Sequence, residues 1–237
     1  MWDRKELKSR AKVAMKTNRG ACIGVALLMG LISGGMSVSS NGVSTYTELY
    51  GTSVDMTAEA METMGILAIV ALAIALIGGL LTIFVQNILT VGGCGFFVKN
   101  QSGMRPRFDA VFDGFRSGCY GNIFSTMFIM QIKIVLWSFL LVIPGVIKGY
   151  EYMLVPYILA ENPGMDRKMA FKISKRMMDG QKMDAFVLDL SFFGWHFLNT
   201  FTFGLLGLFF VNPYIQATKA ELYAFSKQRA FEEGYIR

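Results

Sequence analysis

Charge is scarce in this sequence. Asp, Glu, Lys and Arg make up 17% of its 237 residues, against about 25% in an ordinary soluble domain. Histidine is almost missing: His196 stands alone, so imidazole clusters of the kind that hold catalytic zinc are excluded. Within FFGWHFLN it has no Ser or Cys partner at a known motif spacing. The cysteines Cys22, Cys94 and Cys119 form no metal-binding spacing and read as small buried residues. No GxGxxG turn, P-loop, HExxH helix or CxxC pair occurs. No catalytic residue, metal or cofactor is therefore expected. An enzyme could only be built from residues distant in sequence.

Apolar residues fill the space that charge leaves. Hydrophobic residues reach 53% and the mean hydropathy is +0.43. Residues 20–36 and 65–98 carry no charge, and roughly 20 apolar residues suffice to cross about 30 Å of hydrocarbon. The expected class is an all-α, polytopic membrane protein, a single domain over 1–237. Six spans are predicted, at about 20–38, 65–86, 121–142, 146–160, 184–200 and 204–223. A straight helix over residues 65–98 would measure about 51 Å, so a break is expected near Gly92 and Gly93. Spans four and five are short enough for tilt or half-insertion.

The net charge of +6 suggests nucleic acid until the basic residues are located. All but Lys133 and Lys148 fall in four clusters: before residue 20, in 99–120, in 161–185, and from Lys219 onward. Residues 39–64 have no Lys or Arg. Such alternation is the positive-inside pattern. It predicts cytoplasmic segments at 1–19, 99–120 and 161–185, an external segment at 39–64, and both termini inside a plasma membrane. The basic segments 1–19 and 161–185 are amphipathic. Leu7, Ala11, Ala14 and Met15 form one stripe, and Met169, Ile173 and Met177 another. Both suit an anionic inner leaflet. Lipids, with a further protein partner of unknown kind, are the expected partners, and nucleic acid is not. In 104–116, Asp109 and Asp113 sit one turn apart, too little for a metal site.

Charged and polar groups inside apolar runs are costly and must find partners. Lys133, Asp189, Glu221 and Asn212 form the candidate polar cluster. Lys148 and Glu151 read as external interface residues beside Tyr150 and Tyr152. Asp189 is expected to bond to a neighbouring segment, with Lys133, Lys182 or backbone freed around Asn212 and Pro213 as donors, and with Ser191 and Trp195 packing locally. Two roles follow. The preferred one is a non-enzymatic membrane protein that organises or binds lipid, peptide or a partner. The other is a small transporter in which Lys133, Asp189 and Glu221 converge on a cavity.

The stretches RKELKSRAK, IPGVIKGYEYMLVPYILAENP, KISKRMMDGQKMDAFVLDLSFFGW and NPYIQATKAELYAF resemble a family of uncharacterised bacterial membrane proteins, domain-of-unknown-function family 975. The matching residues include Pro144, Gly145, Tyr157, Asn162, Pro163, Asp189, Ser191, Trp195, Pro213, Tyr214 and Glu221. The resemblance implies a helical membrane protein of Gram-positive bacteria, distantly similar to the membrane region of some glycerophosphodiester phosphodiesterases. It implies no role for any of these residues.

Overall fold

A computed structural model describes residues 2–34, 58–202 and 204–235, and the secondary structure there is entirely helical. Helices α1 (Arg4–Thr17) and α2 (Arg19–Gly34) precede the long α3 (Ala58–Gln101). A 3-10 turn (Phe108–Phe112) runs into the one-turn α4 (Asp113–Arg116). Then come α5 (Tyr120–Leu140), α6 (Val142–Tyr152), α7 (Val155–Glu161), α8 (Arg167–Met177), α9 (Lys182–Leu190) and α10 (Phe193–Phe201). A π-helical turn (Gly207–Val211) leads into α11 (Asn212–Glu232). Residues 39–57 of the expected external segment lie outside the described residues; residues 58–64 already belong to α3.

The chain divides into two compact units, residues 32–86 and residues 1–31 with 87–237. In the smaller unit, residues 65–85 form an apolar helical stretch with bare side chains such as Ile69, Leu72 and Ile74.

The described residues do not form the six expected spans, and residues 35–38 of the first lie outside them. Among the described residues two helices are long and apolar enough to cross a bilayer, Ala68–Gln101 and Tyr120–Leu140. Expected span four divides into α6 and α7, and span five breaks at Ser191–Phe192 into two helices of 9 residues each. At 1.5 Å per residue each piece is about 13 Å long, less than half a bilayer. One contact decides against the six-span topology. It put Lys182 in the cytoplasm and Glu151 at the external face, yet Lys182 Nζ lies 2.7 Å from Glu151 Oε1.

Glycine acts here through close approach. The expected break at Gly92 and Gly93 does not occur, and α3 continues through both. A Cβ on Gly92 would lie 1.8 Å from the Val111 carbonyl oxygen, and one on Gly93 would lie 2.4 Å from Met29 Sδ. These glycines let α3 press against the 3-10 turn and α2. The α5–α6 hairpin turns not at Pro144–Gly145 but at Leu141, whose extended backbone (φ −158°, ψ 136°) reverses the chain in one residue. Pro144 sits in the first turn of α6, where no intrahelical N–H bond is required. A Cβ on Gly145 would lie 2.6 Å from Ser138 Cα, so the two legs of the hairpin nearly touch.

The amphipathic stripes of α1 and α8 face protein. Leu7, Ala11 and Met15 are buried, and α1 lies along α11. Trp2 donates to Gln181 Oε1 at 2.7 Å, and Asn100 donates to the Ala14 carbonyl at 2.8 Å. Helix α8 buries Ala170, Phe171, Ser174 and Met177 against α6, α7 and α11. Its expected stripe is thus rotated, and Met169 is exposed beside Lys168, Lys172, Lys175 and Arg176.

Gly92→Ala and Gly145→Ala should each lower thermal stability in detergent by about 1–3 kcal/mol through overpacking. Gly149→Ala, which meets nothing within 4 Å, should leave it unchanged or raised. Melting curves of the three variants check this.

Candidate functional site

The polar groups that the sequence places in apolar runs are held separately. Tyr150, near the end of α6, donates its hydroxyl to Asp189 Oδ2 at 3.1 Å. Lys219 of α11 stands 3.5 Å from the other oxygen, Oδ1. Asp189 on α9 therefore clips α6 and α11 together. The donors expected for it are engaged elsewhere. Lys133 lies over the Phe171 ring at 4.1 Å and the Tyr152 ring at 5.8 Å. Lys182 bonds to Glu151, and Asn212 sits beside Gly30 of α2.

Glu151 is the most enclosed of these acids, at 4% exposure. Lys148 reaches Oε2 at 2.6 Å and Lys182 reaches Oε1 at 2.7 Å, while the Glu151 carbonyl accepts from Ser174 Oγ at 2.7 Å. Burial pushes this carboxyl up, but the two lysine hydrogen bonds outweigh it and hold the group below its ordinary value. The arrangement joins α6, α8 and α9 at one level.

Glu221 faces a different neighbourhood. Gln101 approaches its Oε2 at 3.4 Å, and burial raises its carboxyl despite that contact. Lys133, Asp189 and Glu221 thus do not converge on one cavity.

Around this level, lysines lie on aromatic rings. Lys8 bonds to Ser191 Oγ at 2.6 Å and lies 4.2 Å from the Phe192 ring centroid. Lys12 stands 5.6 Å from Tyr214, and Lys148 stands 5.6 Å from Trp137. Trp195 packs on Phe210, and Tyr214 packs on Phe192 and Phe210, closing the α10–α11 hairpin where Pro213 starts α11. Tyr157 is buried and stacks on Tyr223. The Asn162–Pro163 turn is pinned by Asn122, which donates to the carbonyls of Pro163 and Met165 at 2.8 and 2.9 Å. The side chain of His196 lies outside the described residues.

Lys8, Lys12, Lys219 and Asn122 were not singled out from sequence. The first three lie in basic clusters that read as cytoplasmic. Asn122 had only one signal, a carboxamide at the start of an apolar run.

A cavity of about 600 Å³ lies between α3, α4 and α7, with a floor including Val91, Ile123 and Leu159. Both lysines at its rim are neutralised: Lys99 by Asp113 and Lys227 by Glu161, each at 2.6 Å. Asp109 and Asp113 share Arg116 as a counter-charge. Among the described residues no group of three potential metal ligands occurs.

Residues 139–230 match the family described as "Protein of unknown function (DUF975)". No curated protein and no solved structure matches the chain. These comparisons link no part of it to glycerophosphodiester phosphodiesterases.

Asp189→Asn should keep most of the Tyr150 hydrogen bond, whereas Asp189→Leu should lose about 1 kcal/mol or more. A double-mutant cycle with Tyr150→Phe, read by melting in detergent, should show coupling for the Leu variant. Additive effects would remove the proposed clip. For Glu151, a depressed carboxyl contributes stability that is complete above its unfolded value of about 4.3. That contribution is lost as pH falls through the depressed folded value. Acid melting should therefore be steeper for the wild type below about pH 4 than for Glu151→Gln.

Proposed function

We propose that this chain is a non-catalytic protein of the bilayer, whose role is to bind lipid and hold it against a basic helical body. The observation that carries the reading is the bare apolar hairpin at residues 132–147. Phe139 is 93% exposed, and Leu140, Leu141, Val142 and Ile143 are each exposed by 64% or more. Soluble monomers rarely leave such a contiguous patch uncovered.

At roughly 2 kcal/mol for each large apolar side chain taken out of water, this surface outweighs any individual lysine contact. The apolar term therefore favours membrane residence, and charge adjusts the position. The exposed cations of α8 and the lysines of α1 supply complementarity to anionic headgroups. The carrier alternative loses its basis, because Lys133, Asp189 and Glu221 have separate partners.

Membranes from cells expressing the full chain should retain it through high-salt and alkaline carbonate washes. Mild detergent should then release it with phospholipid enriched in anionic species. A protein that leaves the membrane fraction in carbonate, or purifies with no lipid enrichment, would overturn the reading.

A further inference from the structure

Two apolar hairpins leave the larger unit, one at residues 132–147 and the other at residues 190–211. They leave it at the same end. Helices α6–α7 and α11 run side by side in the same direction, and three successive contacts mark their register. Asp189 joins Tyr150 to Lys219. Tyr157 stacks on Tyr223 at 5.4 Å. Glu161 accepts from Tyr223 and Lys227, each at 2.6 Å. Followed backward from the Asp189 level, one path leads to Leu141 and the other to the turn at Gly204.

The depth of each hairpin is set by its helices. From Lys133 to the turn is about 12 Å, and from Phe192 to Phe201 about 14 Å, at 1.5 Å per residue. Half of a hydrocarbon core of roughly 30 Å is about 15 Å. Beyond Lys133, and beyond Asp189 until Lys219, neither hairpin carries Asp, Glu, Lys or Arg. Exposed Phe193, Phe197, Phe201, Leu205 and Phe209 cover the second as Leu136, Phe139 and Ile143 cover the first.

Resting on the reading of a bilayer protein, we propose that both hairpins are re-entrant. They enter and leave the single leaflet that faces the basic body, with Lys8, Lys12, Lys133 and Lys148 at the level of anionic lipid phosphates. The competing arrangement sinks the α5–α6 hairpin through both leaflets. Lys133, Lys148, Glu151 and Lys182 would then lie in hydrocarbon. Helix α8, held at that level by the bond from Ser174 to the Glu151 carbonyl and by Lys133 over Phe171, would follow. It would carry in the exposed Lys168, Lys172, Lys175 and Arg176. At about 2.5–3.5 kcal/mol per buried charge, that loss exceeds the gain from burying a few more apolar side chains. Insertion into one leaflet leaves each of these charges at or outside the headgroups. The ammonium groups of the four lysines already lie along aromatic rings or polar side chains, partners compatible with an interfacial position.

The test uses the full chain with Cys22→Ala, Cys94→Ala and Cys119→Ala, reconstituted in phosphatidylcholine vesicles with and without phosphatidylglycerol. Single probes are placed by Leu140→Cys, Phe201→Cys and, as a reference on α8, Lys168→Cys. Membrane-impermeant maleimide should label position 168 from one face, and positions 140 and 201 from neither. A fluorophore at 140 or 201 should be quenched most strongly by lipids carrying a nitroxide near the acyl-chain end. Labelling of 140 or 201 from the face opposite 168 would establish a full crossing and overturn the proposal, while leaving membrane residence intact. Absence of quenching by any lipid would mean that protein, such as a second copy, covers the tips, and would overturn it equally. Lys8→Gln with Lys12→Gln should reduce the preference for brominated phosphatidylglycerol, read at position 201, by at least about fivefold. An unchanged preference would remove the phosphate contacts.

Discussion

Glu151 is the constraint on which the arrangement depends. A carboxylate that is 4% exposed requires donors, and it receives them from Lys148 one turn earlier and from Lys182 at the start of α9. Its own carbonyl accepts the Ser174 hydroxyl of α8. Removing both lysines would leave a buried charge unmatched, which costs more than the intact cluster contributes. The cluster thereby fixes how deeply the α5–α6 hairpin can project, because it joins the returning leg to a helix whose outer face carries four cations. Packing at Gly145 and the turn at Leu141 determine the shape of that hairpin. The Glu151 cluster determines where its apolar part begins.

The second hairpin has an analogous base with different chemistry. Asp189 is about one third exposed and holds its partners more loosely, through a phenol at 3.1 Å and a lysine at 3.5 Å. Much of the ordering there comes from aromatic contact. Phe192 meets Tyr214 edge to face, Trp195 lies against Phe210, and Lys8 covers Phe192. The N-terminal helix is thus part of the body, tied at Trp2 to Gln181 and along its length to α11.

Helical class, apolar character and the need of Asp189 for a partner were legible in the residues. The identity of that partner was not, because Tyr150 and Lys219 are 39 and 30 positions away and nothing in local spacing selects them over Lys133. The segments of α1 and α8 are amphipathic as expected, although the buried face of α8 is rotated from the expected stripe, and periodicity does not say what covers a face. Leu7, Ala11 and Met15 suit lipid and protein equally well. In α8 the exposed Met169 and buried Ser174 reversed the simple hydropathy ranking, since Ser174 has a carbonyl to satisfy and Met169 does not. The glycines misled for a related reason. Gly92 and Gly93 signalled a bend, but the space they provide is occupied by Val111 and Met29.

On the re-entrant arrangement proposed above, the error in the number of spans has a physical source in the charge rule itself. Alternation of basic clusters reports on segments separated by full crossings. A re-entrant hairpin returns its chain to the side from which it came, so it contributes an apolar run without changing side. Counting such runs as crossings then forces the chain to place intervening polar residues outside. That is how Lys148 and Glu151 came to be assigned to the external face. In the folded protein Glu151 holds both Lys148 and Lys182, the latter from a segment assigned to the opposite side. Lys133 and Lys148, the two cations outside every basic cluster, lie on aromatic rings where the first hairpin leaves the body. A charge that fits no cluster, placed about 12 Å along a helix from an apolar turn, marks an interface more locally than the alternation does.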